Sequence, residues 1–218
     1  MIVSSDPPEV MWIENGKHRC FEQIATICAA YTLTLEAATR RKGQIPVELP
    51  LLQLGCPRAG LSIRIALGGM MDAIESGVLP SKLGMVIVPK SVVEFPQGSF
   101  DVKGLKGLIL GLQGANFSLF AERGCDWVRR HVSTDYNNWP PVANFSRVVR
   151  NAIVHGGKVN IQSPRAAPVA WRGLSITHQD HGKAIIQPDY LGAADLIALM
   201  LDLELELNVL GAPFDLDT

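Results

Sequence analysis

Apolar residues recur at helical spacing over about residues 18–42, where Phe21, Ile24, Ile27, Cys28, Tyr31 and Leu35 share one stripe. Arg40, Arg41 and Lys42, then Gly43, supply the cations and the glycine that suit a helix C-terminus. A second helix is predicted over about 59–76 from Leu61, Ile65, Leu67, Met70, Met71 and Ile74, with Gly77 and Pro80 ending it. Met85 to Val88 read as a short strand, and Pro89, Pro96 and Gly98 break anything longer. The pattern is helical again over about 104–132. Gly104, Gly107, Gly111 and Gly114 lie in that stretch without a Gly-Lys-Ser/Thr. They read as a close helix–helix approach rather than a phosphate loop.

Asn137 to Pro141 form a turn whose prolines can open the next helix, over about 141–155, which stops at Gly156-Gly157. The period then switches to two. Lys158 to Gln162, Val169 to Thr177 and Lys183 to Gln187 read as short strands, with a turn at Asp180-His181-Gly182. This predicts a small β-hairpin region over about 158–187. A final helix over about 189–208 is apolar on most sides and should be central. Neither an internal repeat nor a low-complexity linker interrupts the chain. Residues 1–218 therefore read as one domain: a mostly α-helical bundle with a small β-hairpin between its last two helices.

Composition narrows the function classes. Hydrophobic residues make up 47% and charged residues 19%, which excludes a disordered chain. Lys and Arg total 20 against 21 Asp and Glu, a net charge of −1. Any polyanion site must then be a local patch. Arg40-Arg41-Lys42 and Arg129-Arg130-His131 are the basic clusters available. Residues 1–10 lack the pattern of a secretory signal. No apolar run reaches about 18 residues, so no membrane partner is expected and the chain reads as cytoplasmic. Cys20, Cys28, Cys56 and Cys125 form no Cys-x-x-Cys pair and read as core filling. The one visible cysteine–histidine neighbourhood, Cys20 with His18, reads as helix-start surface rather than as a catalytic pair. His178, Gln179, Asp180 and His181 hold ligand-type side chains, but Asp180 and Gly182 are ordinary turn chemistry. Neither a metal nor a cofactor is expected. Asp195 reads as a charge favouring the start of the last helix, or as a carboxylate orienting an arginine.

The helix over 145–155 carries the chemical signal. At about 100° per residue, Phe145, Val148, Val149, Ala152 and Ile153 form a core stripe. The opposite face holds Arg147, Arg150, Asn151, Val154 and His155. A histidine in the last turn, at the negative end of the helix, suits acid–base work. Asn151 lies four residues before His155 and can hydrogen-bond to it. The long Arg150 guanidinium suits bidentate phosphate binding. Val154, ringed by these polar groups, is a contact point for a second chain.

The run Arg147-Val-Val-Arg150-Asn151-Ala-Ile-Val-His155-Gly-Gly resembles the signature of the HEPN (higher eukaryotes and prokaryotes nucleotide-binding) superfamily. That signature is an arginine, a polar residue that is often asparagine, and a histidine several positions on. The resemblance is clearest over about residues 104–210. The N-terminal hundred residues fit it as additional bundle helices. It implies a metal-independent endoribonuclease, of toxin–antitoxin or antiviral systems, that works as a homodimer with two motifs facing across a cleft. By the resemblance Arg150, Asn151 and His155 are catalytic, and Arg147 is an auxiliary substrate-binding cation. The implied partners are RNA, a second copy through the Val154 face, and an antitoxin protein. The other readings are a non-catalytic HEPN module binding a nucleotide or a protein, and a purely structural dimerisation domain.

Overall fold

The computed structural model describes residues 10–41, 51–56, 61–66, 69–89, 106–187 and 190–217. Its N-terminal part is not a set of bundle helices. Strands β1 (Met11–Glu14), β2 (Leu51–Cys56), β3 (Leu61–Ala66) and β4 (Lys82–Pro89) form an antiparallel sheet in the order β1-β4-β3-β2. Helix α1 (Phe21–Arg41) lies between β1 and β2 in the chain, and the short α2 (Met70–Ser76) between β3 and β4. The helix expected over 59–76 is thus a strand followed by two helical turns. Leu61, Ile63 and Ile65 alternate with Ser62, Arg64 and Ala66, the period of a strand with one buried face. Ile63 and Ile65 are fully buried, as are Ile13 and Met85. Lys42, Gly43, Leu67, Pro96, Gly98 and Gly104 fall outside the described residues.

The C-terminal part follows the predicted pattern more closely. Helices α3 (Lys106–His131), α4 (Pro141–Val154) and α5 (Ala193–Val209) pack on one another. Phe117, Phe120, Phe145, Val149, Leu199 and Leu203 fill the space between them in one core that also takes Phe21, Ile24 and Ile27 of α1. Of the glycines read as a close helix–helix approach, Gly114 fits and Gly111 does not, since a Cβ on Gly111 would meet nothing within 4 Å among the described residues. A Cβ on Gly114 would sit 3.4 Å from Ile153, and one on Gly124 would sit 3.3 Å from both Leu203 and Leu207.

The hairpin turn is elsewhere than predicted. Strands β5 (Val169–Trp171) and β6 (Leu174–Ile176) pair across Arg172-Gly173, with φ of 43° and 78°. Positive φ at both central positions matches the twist of a tight hairpin. Arg172 is held there by two bonds to Asp202 of α5, at 2.8 and 2.9 Å. Asp180 instead closes a 3₁₀ turn, where its carboxylate accepts from Thr177 N at 2.8 Å and pairs with Lys183 at 2.7 Å. Lys158, Ala184, Ile186 and Leu191 make isolated bridges rather than strands.

Two buried carboxylates of α5 hold helix starts, Glu204 that of α1 and Asp195 that of α5 itself. Glu204 accepts from Arg19 N at 2.6 Å and from the Cys20 thiol at 2.9 Å, which ties the start of α1 down. Cys20 is therefore core, not surface, and burial pushes its thiol well up. Asp195 accepts from Gly192 N at 3.0 Å at the start of α5, the first of the two roles read for it.

Candidate functional site on helix α4

Helix α4 begins at Pro140-Pro141, which offer no side-chain cap. Its orphan N–H groups at Val142 and Ala143 donate to Glu206 of α5 at 3.1 and 2.7 Å. This satisfies two of the donors that a helix start leaves free. The stripe Phe145, Val148, Val149 and Ala152 is buried against the core. Arg147, Arg150, Asn151, Val154 and His155 lie on the opposite side, half-buried or exposed. The structure thus brings all the predicted site residues onto one face, though their partners differ from those expected.

Arg147 is the more constrained arginine. Its guanidinium lies 4.2 Å from the centre of the Tyr136 ring. Asn144 Oδ1 accepts from its Nε at 3.1 Å and from Nη2 at 2.9 Å. Asn144 is in turn fixed by donating to Tyr136 O at 2.7 Å. Burial lowers the Arg147 pKa. No carboxylate pairs with Arg147 among the described residues.

Arg150 is compensated instead. It forms an ion pair with Glu122 of α3 and donates to Asn151 Oδ1 at 3.2 Å. The Asn151 amide is therefore engaged by Arg150, not by the imidazole. His155 caps the C-terminal end of α4, its N–H donating to Asn151 O at 3.1 Å. Gly156 and Gly157, at φ of 69° and 82°, then turn the chain back. Val159 and Ile161 enter the core and leave Asn160 between them on the outer side. Asn160 Nδ2 donates to His155 Nε2 at 2.7 Å, and Gln162 Nε2 donates to Asn160 Oδ1 at 3.3 Å. Nδ1, the other ring nitrogen, has no hydrogen-bond partner among the described residues.

Sequence reasoning missed Asn160. The signal was present: a double glycine after the histidine, followed by period-two alternation, returns every second side chain to the helix end.

A groove of about 250 Å³ runs beside Arg147 and Arg150 between α3, α4 and the Tyr136–Trp139 turn. Glu122, Asp126 and Arg129 of α3 also line it. Arg129 is paired with Asp126 at 2.7 Å. His155 is outside the groove lining, beyond Asn151 at the end of α4. Cys125 lines the groove, but burial pushes its thiol up to about 12. It is thus a poor nucleophile. The rest of the basic cluster is engaged elsewhere: Arg130 donates to Leu216 O at 2.7 Å, and His131 stacks on Trp127.

Among the described residues no three His, Cys, Asp or Glu side chains gather as a metal site. Also among them, no helix is long and apolar enough to cross a membrane. No known family, curated protein or solved structure matches this chain.

Proposed function

We propose that the chain is a metal-independent endoribonuclease of the HEPN type that acts as a homodimer in the cytoplasm. The observation that carries this reading is the single face of α4 that presents Arg147, Arg150, Asn151 and His155 together. Cleaving RNA through its own 2′-hydroxyl needs a base, an acid and a cation. The base removes the 2′-hydroxyl proton and the 2′-oxygen attacks phosphorus. The bond to the 5′-oxygen then breaks as the acid protonates that oxygen. The products are a 2′,3′-cyclic phosphate and a 5′-hydroxyl.

His155 supplies the acid or the base, Arg150 meets the scissile phosphate, and Asn151 orients its guanidinium. Arg147 is the auxiliary cation. One chain offers one such histidine, and a second copy completes the pair. The two copies meet through the face around Val154, which is 56% exposed. In this reading the enzyme serves as a toxin or an antiviral effector, and an antitoxin protein is its natural partner.

A second reading is a non-catalytic HEPN module that binds a nucleotide or a protein. The Glu122–Arg150 ion pair favours it, because it satisfies the arginine without any RNA. Expression in a bacterial host separates the two. The ribonuclease arrests growth and His155→Ala relieves the arrest. Growth unaffected by an abundant, folded wild-type protein supports the module.

A further inference from the structure

The guanidinium of Arg147 presents an unusual balance of charge and contacts. It is half-buried, and a desolvated permanent cation normally has an anionic partner. Among the described residues it has none. The groove beside it is lined by three guanidiniums, of Arg129, Arg147 and Arg150, and by two carboxylates, of Glu122 and Asp126. Each carboxylate is used by an arginine, Asp126 by Arg129 and Glu122 by Arg150. The excess positive charge of the lining thus rests on Arg147.

The geometry of that cation is also fixed. Asn144 takes the Nε edge, through Nε and one Nη2 hydrogen, and the Tyr136 ring supports one face. The end of the fork, formed by Nη1 and the second Nη2 hydrogen, has no hydrogen-bond partner among the described residues. Two parallel N–H groups at the end of a guanidinium match two oxygens of one phosphate. A side chain already stacked and hydrogen-bonded loses little freedom on meeting such a ligand.

We propose that this groove is a phosphate site, and that it takes a phosphodiester flanking the cleaved one on the same RNA strand. Arg147 on α4 and His155 at its C-cap are eight residues apart, about 12 Å along the helix axis. That separation, and the position of His155 outside the groove, set the two groups against different phosphates. Arg150 lies between them. The groove volume suits a phosphate with its sugar rather than a whole dinucleotide. The identity of the polymer rests on the ribonuclease reading, whereas the anion site stands on the groove itself.

The test uses the Trp139 indole N–H, which borders the groove and donates to Ser133 O at 2.7 Å. Its NMR resonance is followed during titration with inorganic phosphate, and then with a short 2′-deoxy oligonucleotide that cannot be cleaved, at constant ionic strength. The expected result is a saturable shift in the wild type and in His155→Ala. Arg147→Gln is expected to weaken binding about 10- to 100-fold, the scale of lost charge-assisted bonds. Arg147→Lys keeps the charge and loses the fork, and should fall between them. No saturable shift in the wild type, or equal affinity in a folded Arg147→Gln, overturns the site. Saturable phosphate binding without any binding of the oligonucleotide overturns its assignment to a strand. Binding of both ligands by a protein that cleaves no RNA leaves the groove in place and removes the ribonuclease reading.

Discussion

Arg150 of α4 is ion-paired with Glu122 of α3, so the arginine expected to meet the scissile phosphate already holds a carboxylate. The two side chains are 33% and 53% exposed. A pair that open contributes about 0–1 kcal/mol to stability. Phosphate can therefore displace the carboxylate at small cost. Glu122→Gln should tighten RNA binding several-fold at low salt while moving the urea unfolding midpoint little. Weaker RNA binding in this variant would show that Glu122 positions Arg150 rather than competing for it.

Asn160 holds Nε2 of His155, and Nδ1 has no partner among the described residues. An amide carries both a donor and an acceptor, so after rotation it suits the protonated ring as well. Asn160→Ala should lower cleavage about three- to tenfold, the scale of one hydrogen bond, with little loss of stability. Nitrogen chemical shifts of His155 provide the independent check. The Nδ1–H form should dominate the neutral ring in the wild type and give way in the variant. The same tautomer in both proteins would show that the contact does no positioning.

Glu206 links the site helix to pH. Burial is the largest reason its carboxyl titrates above the ordinary 4.5, the bonds from Val142 and Ala143 pulling the other way. The folded chain therefore keeps this proton to a higher pH than the unfolded chain. That contribution to stability is complete below pH 4.5 and is lost as pH rises through the folded value. Urea unfolding across this window should show a downward slope that Glu206→Gln removes. Glu206→Ala strands two N–H groups of α4 and should cost about 0.5–2 kcal/mol.

Two glycines of α3 should respond with opposite signs. A Cβ on Gly111 meets nothing within 4 Å among the described residues. Gly111→Ala should then stabilise by about 0.5–1 kcal/mol through helix propensity alone. At Gly124 the Cβ would press at 3.3 Å on Leu203 and Leu207, both fully buried. Gly124→Ala should destabilise by about 1–3 kcal/mol. Urea midpoints of the two variants on opposite sides of the wild type would confirm the tight α3–α5 contact.

The parts legible in the sequence were those with a long period. Helices α3 and α4 show three to seven turns of consistent spacing, and α5 is apolar on nearly every side, so tertiary packing had little to override. The four-stranded sheet was not legible. β1 has four residues and β3 six, and an apolar run that short satisfies both periods. Leu61 and Ile65 fit a helix stripe as well as one strand face. At the site, the residues of α4 were readable because one helix carries them. Their partners come from distant positions: Glu122 from α3, Tyr136 from the preceding turn, Asn160 from beyond a glycine reversal. Such pairings follow from chain packing, which no local pattern encodes.

Cleavage of a mixed RNA substrate in EDTA, comparing the wild type with His155→Ala, decides the ribonuclease reading. His155 is exposed, so its replacement should leave the fold intact. The expected result is cleavage by the wild type that leaves 2′,3′-cyclic phosphate ends and is lost in the variant. Uncut RNA after incubation with a folded, dimeric wild type, or cleavage that persists in His155→Ala, would contradict it.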